Sequence, residues 1–399
     1  MKGANPDHVN EVIQREPSTD VVVTTVAGQV APTHYAAAPE YNEMVLSLLR
    51  QSARGGNAES LAKLGAMYAC GDGVPKNYSV ARALLRRAAD KQHPLALYNL
   101  GVMYAQGYGL EMNPEVAFNC YAKAAELGSL DGLNNLGVCY QNGFGCVRNL
   151  ETAFEKFHDA AERGFAIAMS NCGYLKELGL GTDLNEEEAL RCYRSAAGRG
   201  CVEAAYNLGR LYIFTKTFYS DFTLGRETLH KAARMGSGDA YNLLGCIEYK
   251  GFKVKRDYEQ ARQLFLQAER LGNAAALNNV GWLHQHGYGV TADLTKAVHY
   301  YTQSAALGYA SAQCNLGYLY FHGLGVEQDL DKAFELFQRA ADAENPTAML
   351  NLALWHLDPD AGRHDVSRAA SFLKKCALAG VAEARDLLAE LHSGEAPRA

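Results

Sequence analysis

No run of this chain approaches the roughly 20 apolar residues that a membrane-spanning helix requires, so no membrane insertion is expected. Its opening, MKGANPDHVNEVIQREPSTD, lacks the apolar core of a secretory signal. Positive charge is not in excess either. The 38 Lys and Arg are outnumbered by 44 Asp and Glu, giving a formal net charge of −6, with no electrostatic footprint for nucleic acid or anionic lipid. Cysteine pairing is missing as well. Cys70, Cys120, Cys139, Cys146, Cys172, Cys192, Cys201, Cys246, Cys314 and Cys376 contain no C-x-x-C and follow no repeated interval, which argues against structural zinc and a disulfide framework. We therefore expect free thiols and a soluble, intracellular, cytoplasmic protein.

What the chain does have is one phrase, over and over. YNLGVMYAQGYG begins at 98 and NNLGVCYQNGFG at 134, 36 positions later, and NNVGWLHQHGYG (278) and CNLGYLYFHGLG (314) fall on the same period. A glycine column runs through Gly65, Gly101, Gly137, Gly173, Gly209, Gly245, Gly281 and Gly317, ending on Ala353. A second column holds only Asn and Asp: Asn77, Asn113, Asn149, Asn185, Asp221, Asp257, Asp293, Asp329 and Asp365. These side chains accept hydrogen bonds from the unpaired N–H groups of a first helical turn, so each predicts a helix start.

Four residues after each cap stands a small residue (Ala81, Ala117, Ala153 and so on to Ala369). Eight after it stands a bulky one: Leu85, Tyr121, Phe157, Tyr193, Leu229, Phe265, Tyr301, Phe337 or Leu373. Spacings of four put both on one helical face. The segment before each cap carries its own stripe, a small residue such as Ala96 or Ala204 and, in most repeats, a Leu four positions later, which predicts a second amphipathic helix. Glycine pairs such as Gly107/Gly109 and Gly143/Gly145 lie between the two, where the chain can turn at positive φ. They lack the Lys and Ser/Thr of a phosphate-binding loop. Repeats five, six and nine depart from the pattern, with FTKTFYS (214–220), KGFKV (250–254) and HLDPDAGRH (356–364), yet keep the caps Asp221, Asp257 and Asp365.

Taken together, the small residue, L-G, G-x-G, Asn/Asp, Ala and a closing AAELG or AAERG resemble the Sel-1-like repeat family, relatives of the tetratricopeptide helical pairs. The resemblance implies an all-α fold, a right-handed α/α superhelical solenoid of nine 36-residue helix-turn-helix repeats. Members of that family mostly act as scaffolds or adaptors. A solenoid needs covered ends. Leu49 and Ala53 fall one period before Leu85 and Ala89, and Ala384 and Leu388 continue the first-helix stripe. We divide the chain into an N-terminal segment (1–39) with an apolar run at 21–32, a capping helix (40–56), nine repeats (57–381), and a capping helix with tail (382–399).

On the first helices, the residue just before the Leu falls away from the core centre: Asn99, Asn135, Asn171, Asn207, Asn279, Asn315 and Asn351. In the related tetratricopeptide modules inner helices line a concave groove, and an Asn there can hold a peptide backbone through both a donor and an acceptor. The alternative is that each Asn bonds the adjacent repeat's backbone and sets the pitch. Three residues further on, Arg210, Trp282 and Tyr318 are of the types that anchor interfaces, or else pack between repeats. Phe214, Phe218, Tyr219 and Phe222 form a second candidate patch, or fill their own unusual turn. His284, His286 and His322 have no carboxylate or thiolate at ligand spacing, so no metal is expected. No nucleophile, base and acid stand in a catalytic context. The sequence thus points to a non-catalytic protein-binding scaffold with no cofactor and no small-molecule substrate. A regulatory subunit of another enzyme, or a hydrolase-like cysteine-rich repeat enzyme, are the alternatives.

Overall fold

The computed structural model describes residues 43–359 and 363–393; the N-terminal segment 1–39 with its apolar run, and the last six residues, lie outside them. Twenty helices and no strand are found among the described residues. Eighteen form nine pairs. The first helices are Ala58–Cys70, Pro94–Gln106, Leu130–Asn142, Ala166–Leu178, Val202–Phe214, Gly238–Lys250, Ala274–His286, Ala310–His322 and Pro346–Leu357. Each is followed by its second helix, as Leu130–Asn142 is by Leu150–Glu162 and Ala274–His286 by Leu294–Ala306. The chain is an all-α solenoid of tandem repeats.

The cap column behaves uniformly. In all nine repeats the Asn or Asp Oδ1 accepts from the backbone N–H three residues on, at 2.9–3.0 Å. The cap's own N–H donates to the carbonyl nine residues back, from Asn77 to Tyr68 through Asp365 to His356, at 2.8–3.0 Å. That second bond closes the turn between the helices. It forms in repeat five without any glycine, where Asp221 N–H reaches the Tyr212 carbonyl, so loop chemistry can vary while the helix pair keeps its geometry.

The two long columns meet inside each pair. A Cβ added at Gly137 would stand 2.7 Å from Phe157 Cε1, closer than carbon atoms pack, so glycine there lets the second helix seat its large ring fully buried. Repeat nine reaches the same end with smaller parts, Ala353 and Leu373, both buried. Backbone conformation is equally periodic. The non-glycine residues with positive φ among the described residues are Gln92, Lys253 and Glu344, and each occupies a column that other repeats fill with glycine.

The chain gathers into two compact units, one ending at Leu208 and the other beginning at Gly209. In the first unit, Leu46 and Ala53 of the helix Glu43–Arg54 are buried in a cluster with Leu61, Leu64 and Leu85 of repeat one. In the second, Ala384 and Leu387 of the helix Ala382–Ser393 join Leu373 and Trp355 of repeat nine. These helices bury apolar surface that an end repeat would otherwise leave open to water. No helix among the described residues is long and apolar enough to cross a membrane.

Candidate functional site

The asparagines of the first helices point into the stack between repeats. Asn171 Nδ2 donates to Asn134 Oδ1, Asn279 Nδ2 to Asn242 Oδ1 and Asn315 Nδ2 to Asn278 Oδ1, each at 2.9 Å and each to the preceding repeat. Asn351 Nδ2 lies 3.8 Å from Cys314 Sγ at the same register. Asn135 accepts from Asn134 at 3.4 Å and lies beside the hydroxyls of Tyr98 and Tyr121. Asn99 Nδ2 turns back to the Leu95 carbonyl at 2.8 Å. Asn207 is also buried. With Asn351 fully enclosed and only Asn279 of the column half-exposed, these amides face neighbouring repeats. For Asn171, Asn279, Asn315 and Asn351 the partners are side chains of the preceding repeat rather than its backbone, whereas Asn99 bonds the backbone of its own helix. Two such amides meeting away from water satisfy each other's polar groups, at a position where one alone would be costly.

The acceptors Asn134, Asn242 and Asn278 stand one residue before the column, and the sequence reading passed over them. The signal was there in the doublets Asn134–Asn135 and Asn278–Asn279.

Trp282 is 8% exposed. Its indole N–H donates to the Tyr249 hydroxyl at 3.0 Å, and its ring stacks on His286 at 3.8 Å. Tyr318 is half-buried and tilts against His322 at 4.4 Å; Arg210 is half-buried on the first helix of repeat five. Trp282 and Tyr318 pack against their own and adjoining repeats, so neither is presented as a free anchor. Burial holds His284 and His286 below the ordinary histidine value, and no group of metal-ligating side chains comes together among the described residues. The ten cysteines are free. Burial pushes the thiols of Cys139, Cys172, Cys246 and Cys314 up to about 12, so they stay protonated at neutral pH and serve as apolar filling.

The second patch is the more open one. Phe214 and Phe222 both pack on Phe252 of repeat six, at 5.7 and 6.0 Å between ring centres. The Lys253 ammonium sits 5.6 Å from the centres of both the Phe222 and Phe252 rings. Phe218 is 87% exposed, with Tyr219 beside it at 4.0 Å. Thus Phe214, Phe222 and Phe252 are packed together, while Phe218, paired with Tyr219, stands out into solvent. The lysines of this patch, Lys216 and Lys253, were missed because they sit in two successive loops.

Comparisons with known proteins agree with the period. The Sel1 repeat model matches nine contiguous stretches: 58–93, 94–129, 130–165, 166–201, 202–237, 238–273, 274–309, 310–345 and 346–381. A protective antigen present in uropathogenic Escherichia coli strains, of known structure and displaying an SLR fold, is similar. It is 30% identical with a TM-score of 0.50, over 88% of this chain and 76% of that one. A Sel1 repeat protein from Oxalobacter formigenes is 27% identical with a TM-score of 0.54, over 80% of this chain and 92% of that one. No curated protein matches. The helix pair built from the cap, glycine and bulky columns is the Sel1 repeat, nine times over, and the chain belongs to the Sel1 repeat family.

Proposed function

We propose that this protein is a non-catalytic scaffold that holds partner proteins on the solenoid surface. The Sel1 repeat fold commonly serves protein interaction, and it supplies what a scaffold needs: rigid helix pairs with freely variable loops. The observation that carries the reading is Phe218, a large apolar ring raised into solvent on a loop whose other rings are packed. Exposed aromatic side chains on a rigid frame are the usual anchors of protein interfaces. The asparagine column has a different role in this reading. Its amides tie repeat to repeat, and the partner meets the loops instead.

Co-purification with the tagged full chain, followed by mass spectrometry and by reconstitution from purified components, tests the scaffold reading. A stoichiometric protein partner that binds again on mixing is expected. Turnover of a small molecule by the chain, with no protein bound, would overturn it.

A further inference from the structure

We propose that the loops of repeats five and six together form a docking surface for an acidic peptide segment of a partner protein, one that carries an aromatic or aliphatic anchor. The proposal rests on the scaffold reading and adds the place and the chemistry of the partner.

Charge is the first ground. Between the end of the first helix and the cap, repeats five and six (215–221 and 251–257) hold Lys216, Lys253, Lys255 and Arg256. The same stretch holds one cation in repeat one (Lys76), in repeat three (Arg148) and in repeat nine (Arg363), and none in repeats two, four, seven and eight. A chain with net charge −6 therefore places four of its seven cations of this kind in two consecutive loops. The carboxylates within these two loops are Asp221 and Asp257, and each has one oxygen engaged as a helix cap, accepting from the Leu224 and Gln260 N–H groups. Among the described residues, no carboxylate pairs with Lys216, Lys253 or Lys255. All four cations are exposed.

Shape is the second ground. Phe252 touches both Phe214 and Phe222, which brings the two loops side by side and makes one patch of them. Phe218, exposed and paired with Tyr219, lies four residues from both Phe214 and Phe222 in the sequence, where it can serve as an anchor for an incoming apolar side chain. Lys253 lies over two of the floor rings, so it offers charge from a fixed place and not from a free-swinging arm.

Backbone strain is the third. Lys253 holds φ at +56° where Gly73, Gly109, Gly145, Gly181, Gly289 and Gly325 occupy the same column. A side chain in that conformation costs stability that glycine would not, and such costs cluster where a side chain is used.

Nucleic acid fits less well, since duplex binders neutralise about 6–10 phosphates. A membrane fits less well too, because the patch offers one largely exposed ring, and anchoring needs more buried apolar area.

The test selects random peptides displayed on phage against the full chain. The double change Lys253→Glu plus Lys255→Glu serves for counter-selection, and circular dichroism checks that every variant is folded. Selected peptides should be rich in Asp and Glu around one aromatic or aliphatic residue. A fluorescein-labelled synthetic copy should bind about tenfold more weakly to the charge-reversed variant and to Phe218→Ala, and should weaken as salt rises. Peptides with no acidic bias, or unchanged binding to both variants, overturn the proposal and leave the scaffold reading standing. Tighter binding of phosphatidylserine vesicles or of an oligo-dT strand than of any selected peptide overturns it as well. Failure to recover both a peptide and a stoichiometric protein partner would remove the scaffold reading with it.

Discussion

Asn315 donates its side-chain N–H to Asn278 Oδ1, 2.9 Å away and one repeat earlier, with both amides buried. Asn315→Ala leaves a buried acceptor without its donor, which costs about 1–3 kcal/mol. Replacing both residues with Leu removes the polar groups together and should cost less than the two single changes added. Urea unfolding of the two single Leu variants and the double variant checks this. Strict additivity would mean that the pair is not an energetic unit.

Asn149 caps the helix Leu150–Glu162 through Thr152 N–H at 3.0 Å. Asn149→Ala should cost about 1 kcal/mol and raise hydrogen exchange locally in that first turn. Unchanged exchange across residues 150–162 in a folded variant would sink the assignment.

The caps of later repeats are ionisable, which makes them sensitive to acid. Backbone N–H groups at Lys296, Lys332 and Arg368 hold Asp293, Asp329 and Asp365 below the ordinary aspartate value of 3.8. A carboxyl depressed in the folded state contributes its stability above the unfolded value and loses it as pH falls through the folded one. Protection of the helices that follow these three caps should therefore hold between about pH 7 and pH 5 and weaken only below about pH 4. Helices capped by Asn77, Asn113 and Asn149 should show no such step. Hydrogen exchange corrected for its intrinsic pH dependence reads both, and an equal acid loss in the Asn-capped helices would refute the mechanism.

Much of this was legible before any coordinates. Cap, glycine and bulky columns recur at one period because each repeat solves the same packing problem, so helix pairs and their start points could be read directly. Asn134 and Asn278 were harder. A ladder between repeats joins positions offset by one residue from the period, and counting down a column does not reveal its partner. The Phe214–Phe252 contact was hidden for a related reason, since it spans two loops that each break the pattern. Burial separated Trp282 from Phe218, two aromatics that the sequence could rank only by residue type.

Gly137 and Phe157 should behave as a matched pair. Gly137→Ala forces a methyl group to within 2.7 Å of the Phe157 ring and should cost about 1–3 kcal/mol by overpacking. Adding Phe157→Leu makes the Ala/Leu combination that repeat nine already uses at Ala353 and Leu373, and should restore part of the loss. Thermal melts of the single and double variants decide it. No recovery in the double variant would mean that the backbone, rather than the ring, resists the methyl group.

Lys253 sets stability against binding. At φ +56° its side chain strains the backbone, and six counterparts in the same column are glycine. Lys253→Gly removes that strain but gives the unfolded chain more freedom, so the net gain should be modest, up to about 1 kcal/mol. The same change takes the ammonium away from the Phe222 and Phe252 rings and deletes one of the four loop cations. Stability should therefore rise while affinity for the selected acidic peptide falls. Melting temperature and fluorescence anisotropy on one preparation measure both. A loss of stability would show that the lysine's contacts with the rings outweigh the strain at this turn, and a gain with affinity intact would remove Lys253 from the docking surface.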